Sequence, residues 1–106
     1  MSQPEYQRVA ATSEIGLGKM LCVELQGREL LICHLEEGFF AVDNMCSHAE
    51  AKMSEGRLRG HKLLCPVHGA AFDVRDGSVM RPPATQPIRS HAVRVDGDDV
   101  LVALGD

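Results

Sequence analysis

Short runs of alternating apolar and polar residues cover most of the chain, and they predict strands rather than helices. The first run places Leu21, Val23 and Leu25 on one face, with polar or sulfur-containing side chains between them. Gly27 ends this run, and the pattern resumes twice before the next polar segment. The three runs together predict an antiparallel meander: residues 20–25, 29–35 and 39–42.

Turn residues separate further pairs of apolar runs. Residues 92–95 and 100–104 flank Asp96-Gly97-Asp98, which is a strong hairpin signal. A second tight turn is predicted at residues 75–77. Helical patterning is limited to one capped turn near residues 12–15. The predicted fold class is therefore all-β, a small antiparallel sandwich or barrel.

Length and composition restrict the protein to one modest domain. The chain has 106 residues, of which 44% are hydrophobic and 25% charged, so we expect a single domain over residues 1–106. The net charge of -4 disfavours nucleic acid. It suits docking to a basic protein surface, or it simply keeps the protein soluble. Without a signal sequence or a long apolar run, the expected location is the cytoplasm, with no membrane segment.

The candidate chemistry lies where the strand pattern lapses, in residues 44–71. Cys46-Ser47-His48 and Cys65-Pro66-Val67-His68 form two Cys/His pairs, separated by residues 49–64. Each pair offers one thiolate and one imidazole. Metal ligation by these four donors is favoured over disulfides because histidines accompany the cysteines and the expected compartment is reducing.

Two kinds of metal site fit this donor set. A single tetrahedral zinc in an interaction module needs only four Cys or His ligands, but its ligands usually come in pairs of like residues. Here each pair is mixed. Mixed pairs suit a binuclear centre in which two thiolates bind one iron and two imidazoles bind the other, the arrangement of the Rieske 2Fe–2S cluster.

The paired motif, C-x-H followed by C-P-x-H-G, resembles the Rieske cluster-binding motif. In length, meander, insert and proline-rich loop, the whole chain is similar to the Rieske ferredoxins of bacterial aromatic-ring dioxygenase systems. The resemblance implies a small Rieske-type antiparallel β-sandwich or barrel. It also implies a cluster-binding insert at about residues 44–86.

The resemblance further implies one 2Fe–2S cluster with four protein ligands: Cys46, His48, Cys65 and His68. The thiolates would bind the inner iron. The imidazoles would bind the outer iron, with a ring nitrogen facing solvent as the point of electron entry and exit. Pro82 and Pro83 match the family's proline loop, which covers the cluster from a third side. Gly69 would let the backbone pass close to the cluster.

Departures from the high-potential members of the family predict a low reduction potential. Those proteins carry two further cysteines in a disulfide, where this chain has Ala51 and Val67. They also carry Ser and Tyr hydroxyls that donate to cluster and ligand sulfurs, where this chain has Ala70 and Phe72. Fewer donors to sulfur favour the oxidised form. We therefore expect a potential near the lower end of the range of about -150 to +300 mV.

The implied function is one-electron transfer by a monomeric carrier that is not itself an enzyme and has no catalytic residues. It would take electrons from an NAD(P)H-dependent flavoprotein ferredoxin reductase and pass them to a terminal aromatic-ring-hydroxylating oxygenase. The alternative within the family is a small Rieske-like subunit of another oxidoreductase, such as nitrite reductase.

The remaining cysteines and histidines are interpreted as structural residues. Cys22 and Cys33 are expected to be buried in the β scaffold. His34 is expected to pack or lie at the surface, His61 to lie at a loop edge, and His91 has no predicted partner. A group of basic residues in the insert is either a solvated loop or a docking surface: Lys52, Arg57, Arg59 and Lys62.

Overall fold

The computed structural model describes residues 5–45, 52–66, 69–82 and 86–104. The strands in this part of the chain are β1 (Gln7–Ala11), β2 (Met20–Leu25), β3 (Arg28–Leu35), β4 (Gly38–Asp43), β5 (Arg57–Arg59), β6 (Lys62–Leu64), β7 (Ala71–Asp73), β8 (Val79–Arg81), β9 (Ser90–Asp96) and β10 (Asp99–Ala103). Two single 3₁₀ turns, Thr12–Glu14 and Met53–Glu55, accompany them. No helix in these ranges is long and apolar enough to cross a membrane.

The larger sheet has six strands in the order β1-β10-β9-β4-β3-β2. Its end strands β1 and β2 lie close together, so the sheet nearly closes into a barrel. The β2–β3 hairpin turns at Gln26 and Gly27, which have φ values of 53° and 80°. Positive φ at both turn residues matches the twist of the paired strands. The predicted meander, the terminal hairpin and the all-β class are confirmed.

The smaller sheet has four strands in the order β5-β6-β7-β8. In the sequence it lies between β4 and β9, which pair with each other through Ala41–His91 and Val42–Ser90. The segment after β4 therefore leaves the larger sheet and returns to the neighbouring strand. Because β4 and β9 are paired, the departure and return points of this segment are fixed beside each other.

The larger sheet packs apolar side chains on both faces. Leu30 and Ile32 of β3 join Val100 and Val102 in the barrel interior. Leu31 and Cys33, their neighbours on β3, point the other way. They join a second core with Leu63 and Phe72 of the smaller sheet and with Val74, which follows β7. Each large apolar side chain that is fully buried contributes about 1.5–3 kcal/mol. The second core therefore holds the smaller sheet against the outer face of β3.

Candidate metal centre

The structure describes one of the four predicted cluster ligands. Cys65 lies within the described residues, whereas Cys46, His48 and His68 lie outside them. Three other positions singled out from the sequence also lie outside: Ala51, Val67 and Pro83. Within the described ranges, no three His, Cys, Asp or Glu side chains are placed to hold a metal ion.

Cys65 follows directly after β6 and is 3% exposed. Its backbone N–H donates to the carbonyl oxygen of Ala70 at 2.7 Å. This bond extends the β6–β7 pairing, whose last strand pair is Leu64–Ala71, into the loop. Within the loop, Gly69 has φ 73°, in the left-handed region that favours glycine. The glycine of the second motif therefore supplies the left-handed conformation directly before Ala70, which pairs with Cys65.

The wall behind Cys65 is apolar. Ala70 and Phe72, which the resemblance matches to hydroxyl-bearing positions of high-potential Rieske proteins, are fully buried and belong to the same core as Cys65. Met53, from the segment that follows the first Cys/His pair, is in this core too. At positions 70 and 72, this wall carries no hydroxyl that could donate a hydrogen bond to a sulfur. The surroundings thus fit a buried thiolate ligand on the protein side of a cluster.

The described residues on either side of positions 46–51 pair with each other. The chain leaves β4 through Asn44 and Met45, and Met45 forms an antiparallel bridge with Lys52 where the chain returns. After the return, Gly56 passes so close to the Leu64 carbonyl that a Cβ at this position would overlap its oxygen. The return from the first pair therefore lies directly against the strand that leads into Cys65. The first described residues after the first motif therefore lie close to Leu64, the residue before Cys65.

Positive charge flanks Cys65 at the surface. A depression of about 460 Å³ is lined by Cys65 together with Arg57, Arg81 and Glu55. Both arginines are exposed, and neither forms an ion pair with another described residue. Since a nearby cation stabilises added negative charge, the two guanidinium groups favour the reduced state of a group bound here, whereas the Glu55 carboxylate opposes it.

The basic residues predicted as one group are in different settings. Arg57 and Arg59 lie on β5, an edge strand, and alternate with Leu58, which packs against the core. Lys52 lies 3.3 Å from the Glu29 carboxylate. The solvated-loop alternative is therefore wrong for residues 57–59, because these residues pair with β6. Pro82 is exposed at the end of β8.

The two cysteines outside the motifs differ from each other. Cys33 is fully buried, and burial raises the pKa of its thiol to about 12, which agrees with a packing role. The expected burial of Cys22 is wrong, because it is exposed on β2 at the edge of the larger sheet. Partial burial still raises the pKa of the Cys22 thiol. None of the three described cysteines forms a disulfide.

The histidines outside the motifs are structural where they are described. His34 stacks on Phe39 with ring centroids 4.0 Å apart, and its Nδ1 is 2.8 Å from the carbonyl oxygen of Ile15. His91, for which the sequence suggested no partner, is buried with Nε2 2.7 Å from Asp43 Oδ1. This pair joins β9 to the end of β4, just before the first Cys/His pair. His61 is half-buried at the turn before β6.

The Rieske [2Fe-2S] domain model matches residues 5–99 of the chain. The protein therefore belongs to the Rieske 2Fe–2S domain family, which confirms the resemblance and favours a 2Fe–2S cluster over the zinc alternative. It is 38% identical over 94 residues to the ferredoxin component of the naphthalene 1,2-dioxygenase system of Pseudomonas aeruginosa. That alignment covers 89% of this chain and 90% of the relative.

Solved structures show the same similarity. The ferredoxin of carbazole 1,9a-dioxygenase from Nocardioides aromaticivorans IC177 is 33% identical, with a TM-score of 0.89 over 92% of this chain and 96% of that one. A structure described as a complex of reduced oxygenase and oxidised ferredoxin in carbazole 1,9a-dioxygenase contains a chain that is 33% identical. Its TM-score is 0.87, with 92% of each chain covered.

Proposed function

We propose that this protein is a one-electron carrier, the ferredoxin component of an aromatic-ring-hydroxylating dioxygenase system. The observation that carries the proposal is the similarity to such ferredoxins over about nine-tenths of both chains. The similarity therefore covers most of the length of these ferredoxins and not only a shared cluster motif. It favours this function over that of a subunit of another oxidoreductase, such as nitrite reductase.

The proposal assigns Cys46 and Cys65 to the inner iron and His48 and His68 to the outer iron. Support comes from the mixed donor set and from the contact of Gly56, which follows the first motif, with the carbonyl of Leu64, which precedes Cys65. When bound, a 2Fe–2S cluster of this type takes up and releases one electron without making or breaking a substrate bond. The protein's part is to hold the ligands and to exclude water from the thiolate side with Met53 and the apolar wall.

The proposed carrier has a low reduction potential. Ala70 and Phe72 place methyl and phenyl groups where a hydroxyl donor would stabilise the reduced cluster. Arg57 and Arg81 act in the opposite direction, but both are exposed, so water screens their charge. The expected potential is therefore in the lower part of the Rieske range, about -150 mV.

The proposed partners are a terminal oxygenase, which receives the electron, and an NAD(P)H-dependent flavoprotein reductase, which supplies it. The oxygenase assignment is supported by the complex formed by a similar ferredoxin. The carrier is further proposed to be a cytoplasmic monomer. Size-exclusion chromatography of the purified protein tests the monomer, and a stable larger complex in cell extract would favour the subunit alternative.

Reconstitution tests the function directly. Purified protein is combined with a flavoprotein reductase, NADH and candidate oxygenases, and the hydroxylated product is measured. Product formation that depends on this protein, and that stops when a Cys65→Ser variant replaces it, is the expected result. A colourless protein that contains zinc and no acid-labile sulfide would contradict the cluster assignment. A red protein that transfers no electron to any aromatic-ring oxygenase would contradict the partner assignment alone.

A further inference from the structure

Asn44 lies between β4 and the segment that contains Cys46 and His48, and it is a buried polar residue with 1% exposure. Its position in the sequence, two residues before a proposed ligand, indicates no role by itself. Its hydrogen bonds indicate a role, because they link three separate parts of the chain.

The side chain of Asn44 forms hydrogen bonds through both of its polar atoms. Oδ1 accepts from the backbone N–H of Ser54 at 2.8 Å. Nδ2 is 3.2 Å from the Glu29 carboxylate and 3.4 Å from the sulfur of Cys22. The 3₁₀ turn at Met53–Glu55 is thereby tied to β3 and β2 of the larger sheet through one amide group.

The backbone of Asn44 adds two further bonds to the same neighbours. Its N–H donates to the carbonyl oxygen of Glu29 at 3.1 Å, and its carbonyl oxygen accepts from the N–H of Met53 at 2.6 Å. The first motif's segment leaves the sheet directly after Asn44, and Asn44 also binds two consecutive N–H groups where the segment returns. Together with the Met45–Lys52 bridge, Asn44 thus links the described residues before positions 46–51 to those after them.

We propose that Asn44 is a positioning residue for the cluster, which fixes the start and the return of the segment that carries Cys46 and His48. The inference rests on the proposed ligand assignment and does not depend on the identity of the redox partners. Asn44 acts through the backbone of this segment and not by contact with the iron or sulfide.

Asparagine suits this position better than aspartate for an electrostatic reason. The Ser54 N–H can only donate, and the Glu29 carboxylate, whose pKa is lowered by hydrogen bonds from Asn44 and Lys52, can only accept. The side chain must therefore present one acceptor and one donor, on opposite sides. An aspartate would keep the bond to Ser54 but would set two carboxylates against each other.

Asn44→Asp and Asn44→Ala test the proposal, with Val100→Ala as the matched control. Val100 is fully buried in the barrel interior, so its truncation weakens the fold away from the cluster. Each variant is compared with the wild type below its unfolding midpoint. The measurements are the rate at which visible absorbance is lost to an iron chelator, the EPR g values of the reduced protein, and the midpoint potential.

We expect both Asn44 variants to lose the cluster about tenfold faster than the wild type, because a buried hydrogen-bond network is broken. Their g values and potential shift as well, which loss of fold stability alone would not cause. Val100→Ala lowers the unfolding midpoint but keeps the wild-type g values and potential. If the Asn44 variants match Val100→Ala in all three measurements, the positioning role is wrong.

A double variant supplies a second test in case Asn44→Ala fails to fold. In the double variant Asn44→Asp/Glu29→Gln, the amide at position 29 becomes the donor and the carboxylate at position 44 becomes the acceptor. Cluster loss should therefore be slower than in Asn44→Asp. Glu29→Gln alone is the control for the lost Lys52 pairing. Absence of any slowing contradicts the proposed amide network. A wild-type protein without a 2Fe–2S spectrum would instead overturn the ligand assignment, so the two failures are distinguishable.

Discussion

The backbone N–H of Cys65 donates to the carbonyl oxygen of Ala70 at 2.7 Å, and this bond fixes the second proposed thiolate ligand through the main chain. The β6–β7 pairing leads directly into it. Because the backbone of Cys65 is fixed by bonds within the protein, cluster binding needs less ordering of the chain at this ligand. Pre-organisation of this kind lowers the entropic cost of binding.

Cys65→Ser is expected to abolish the 2Fe–2S cluster. Serine keeps the backbone bond to Ala70 but replaces a soft thiolate with a hydroxyl that is a poor iron ligand. Iron content, acid-labile sulfide and visible absorbance are the measurements, and each should fall to near zero. Cys22→Ser is the matched control, because Cys22 is exposed on β2 and a serine oxygen can still accept from Asn44. Equal cluster content in the two variants would contradict the assignment of Cys65.

Ala70→Ser and Phe72→Tyr are expected to raise the midpoint potential. Each adds a hydroxyl on the buried wall beside Cys65, and a donor to sulfur stabilises the electron-rich reduced cluster. If a bond is stronger by about 1.4 kcal/mol in the reduced state, the rise is about 60 mV for each substitution. A spectroelectrochemical titration measures the shift.

Ala71→Ser is the control for the added hydroxyl. Ala71 is also fully buried but begins β7 on the face opposite to Phe72, because side chains alternate along a strand. Its potential should stay close to that of the wild type. If Ala71→Ser raises the potential as much as Ala70→Ser does, a general polarity effect accounts for the shift and the specific donor argument fails.

Strands with strong local patterns could be predicted from the sequence, whereas strands formed by distant partners could not. β2 shows apolar alternation that ends at Gly27, β3 is a continuous apolar run, and both were predicted. β1 was missed because its weak pattern becomes a strand only by pairing with β10, as in Gln7–Val102. β5 was missed because two of its three residues are arginine, and only pairing with β6 orders them.

The residues of the candidate site also fall into two groups: those that a local motif predicts and those that depend on tertiary packing. The four proposed ligands could be named from the motif, because donor type and spacing are local properties of the sequence, although only Cys65 lies within the described residues. The contacts of Asn44 and the pairing of His91 with Asp43 depend on how β3, β4 and β9 pack. An asparagine directly after a strand and before a Cys/His pair was the available signal for Asn44. By itself, it also fits an ordinary turn residue.

Gly56→Ala is expected to destabilise the protein and to weaken cluster retention. A Cβ at Gly56 would overlap the Leu64 carbonyl oxygen, which is backbone and cannot rotate away. Relief requires a shift of Leu64 and hence of Cys65, at a cost of about 1–3 kcal/mol. The thermal midpoint and the rate of cluster loss to a chelator measure the two effects.

Gly16→Ala is the matched control for Gly56→Ala. A Cβ at Gly16 would have Lys19 Cγ as its nearest neighbour at 3.5 Å, an ordinary contact with a flexible side chain. Gly16→Ala should therefore change neither the thermal midpoint nor cluster retention by much. Similar behaviour of the two alanine variants would show that the close approach of Gly56 to Leu64 is not needed for the site.

Asp73 is expected to make stability depend on pH through its contacts with Arg75. The guanidinium of Arg75 donates to both carboxylate oxygens, at 3.0 and 2.8 Å, and its backbone N–H donates at 2.9 Å. These bonds, the side-chain bonds foremost, hold the pKa of Asp73 below its ordinary value. A lowered pKa in the folded state means that the stabilisation is complete above the ordinary value of about 3.9 and is lost as the pH falls through the folded value.

Asp73→Asn tests this dependence, because asparagine keeps an acceptor for the Arg75 N–H but loses the charge. At pH 7 its thermal midpoint should be a few degrees lower than that of the wild type, which corresponds to a loss of at most about 1 kcal/mol in the free energy of unfolding. The loss is small because Arg75 is exposed and its charge is screened. Below about pH 4 the difference from the wild type should shrink as the wild-type carboxylate becomes protonated. Asp98→Asn, in an exposed turn, should match the wild type at every pH. A deficit in Asp73→Asn that stays constant from pH 7 to low pH would mean that the charge of Asp73 does not contribute to stability.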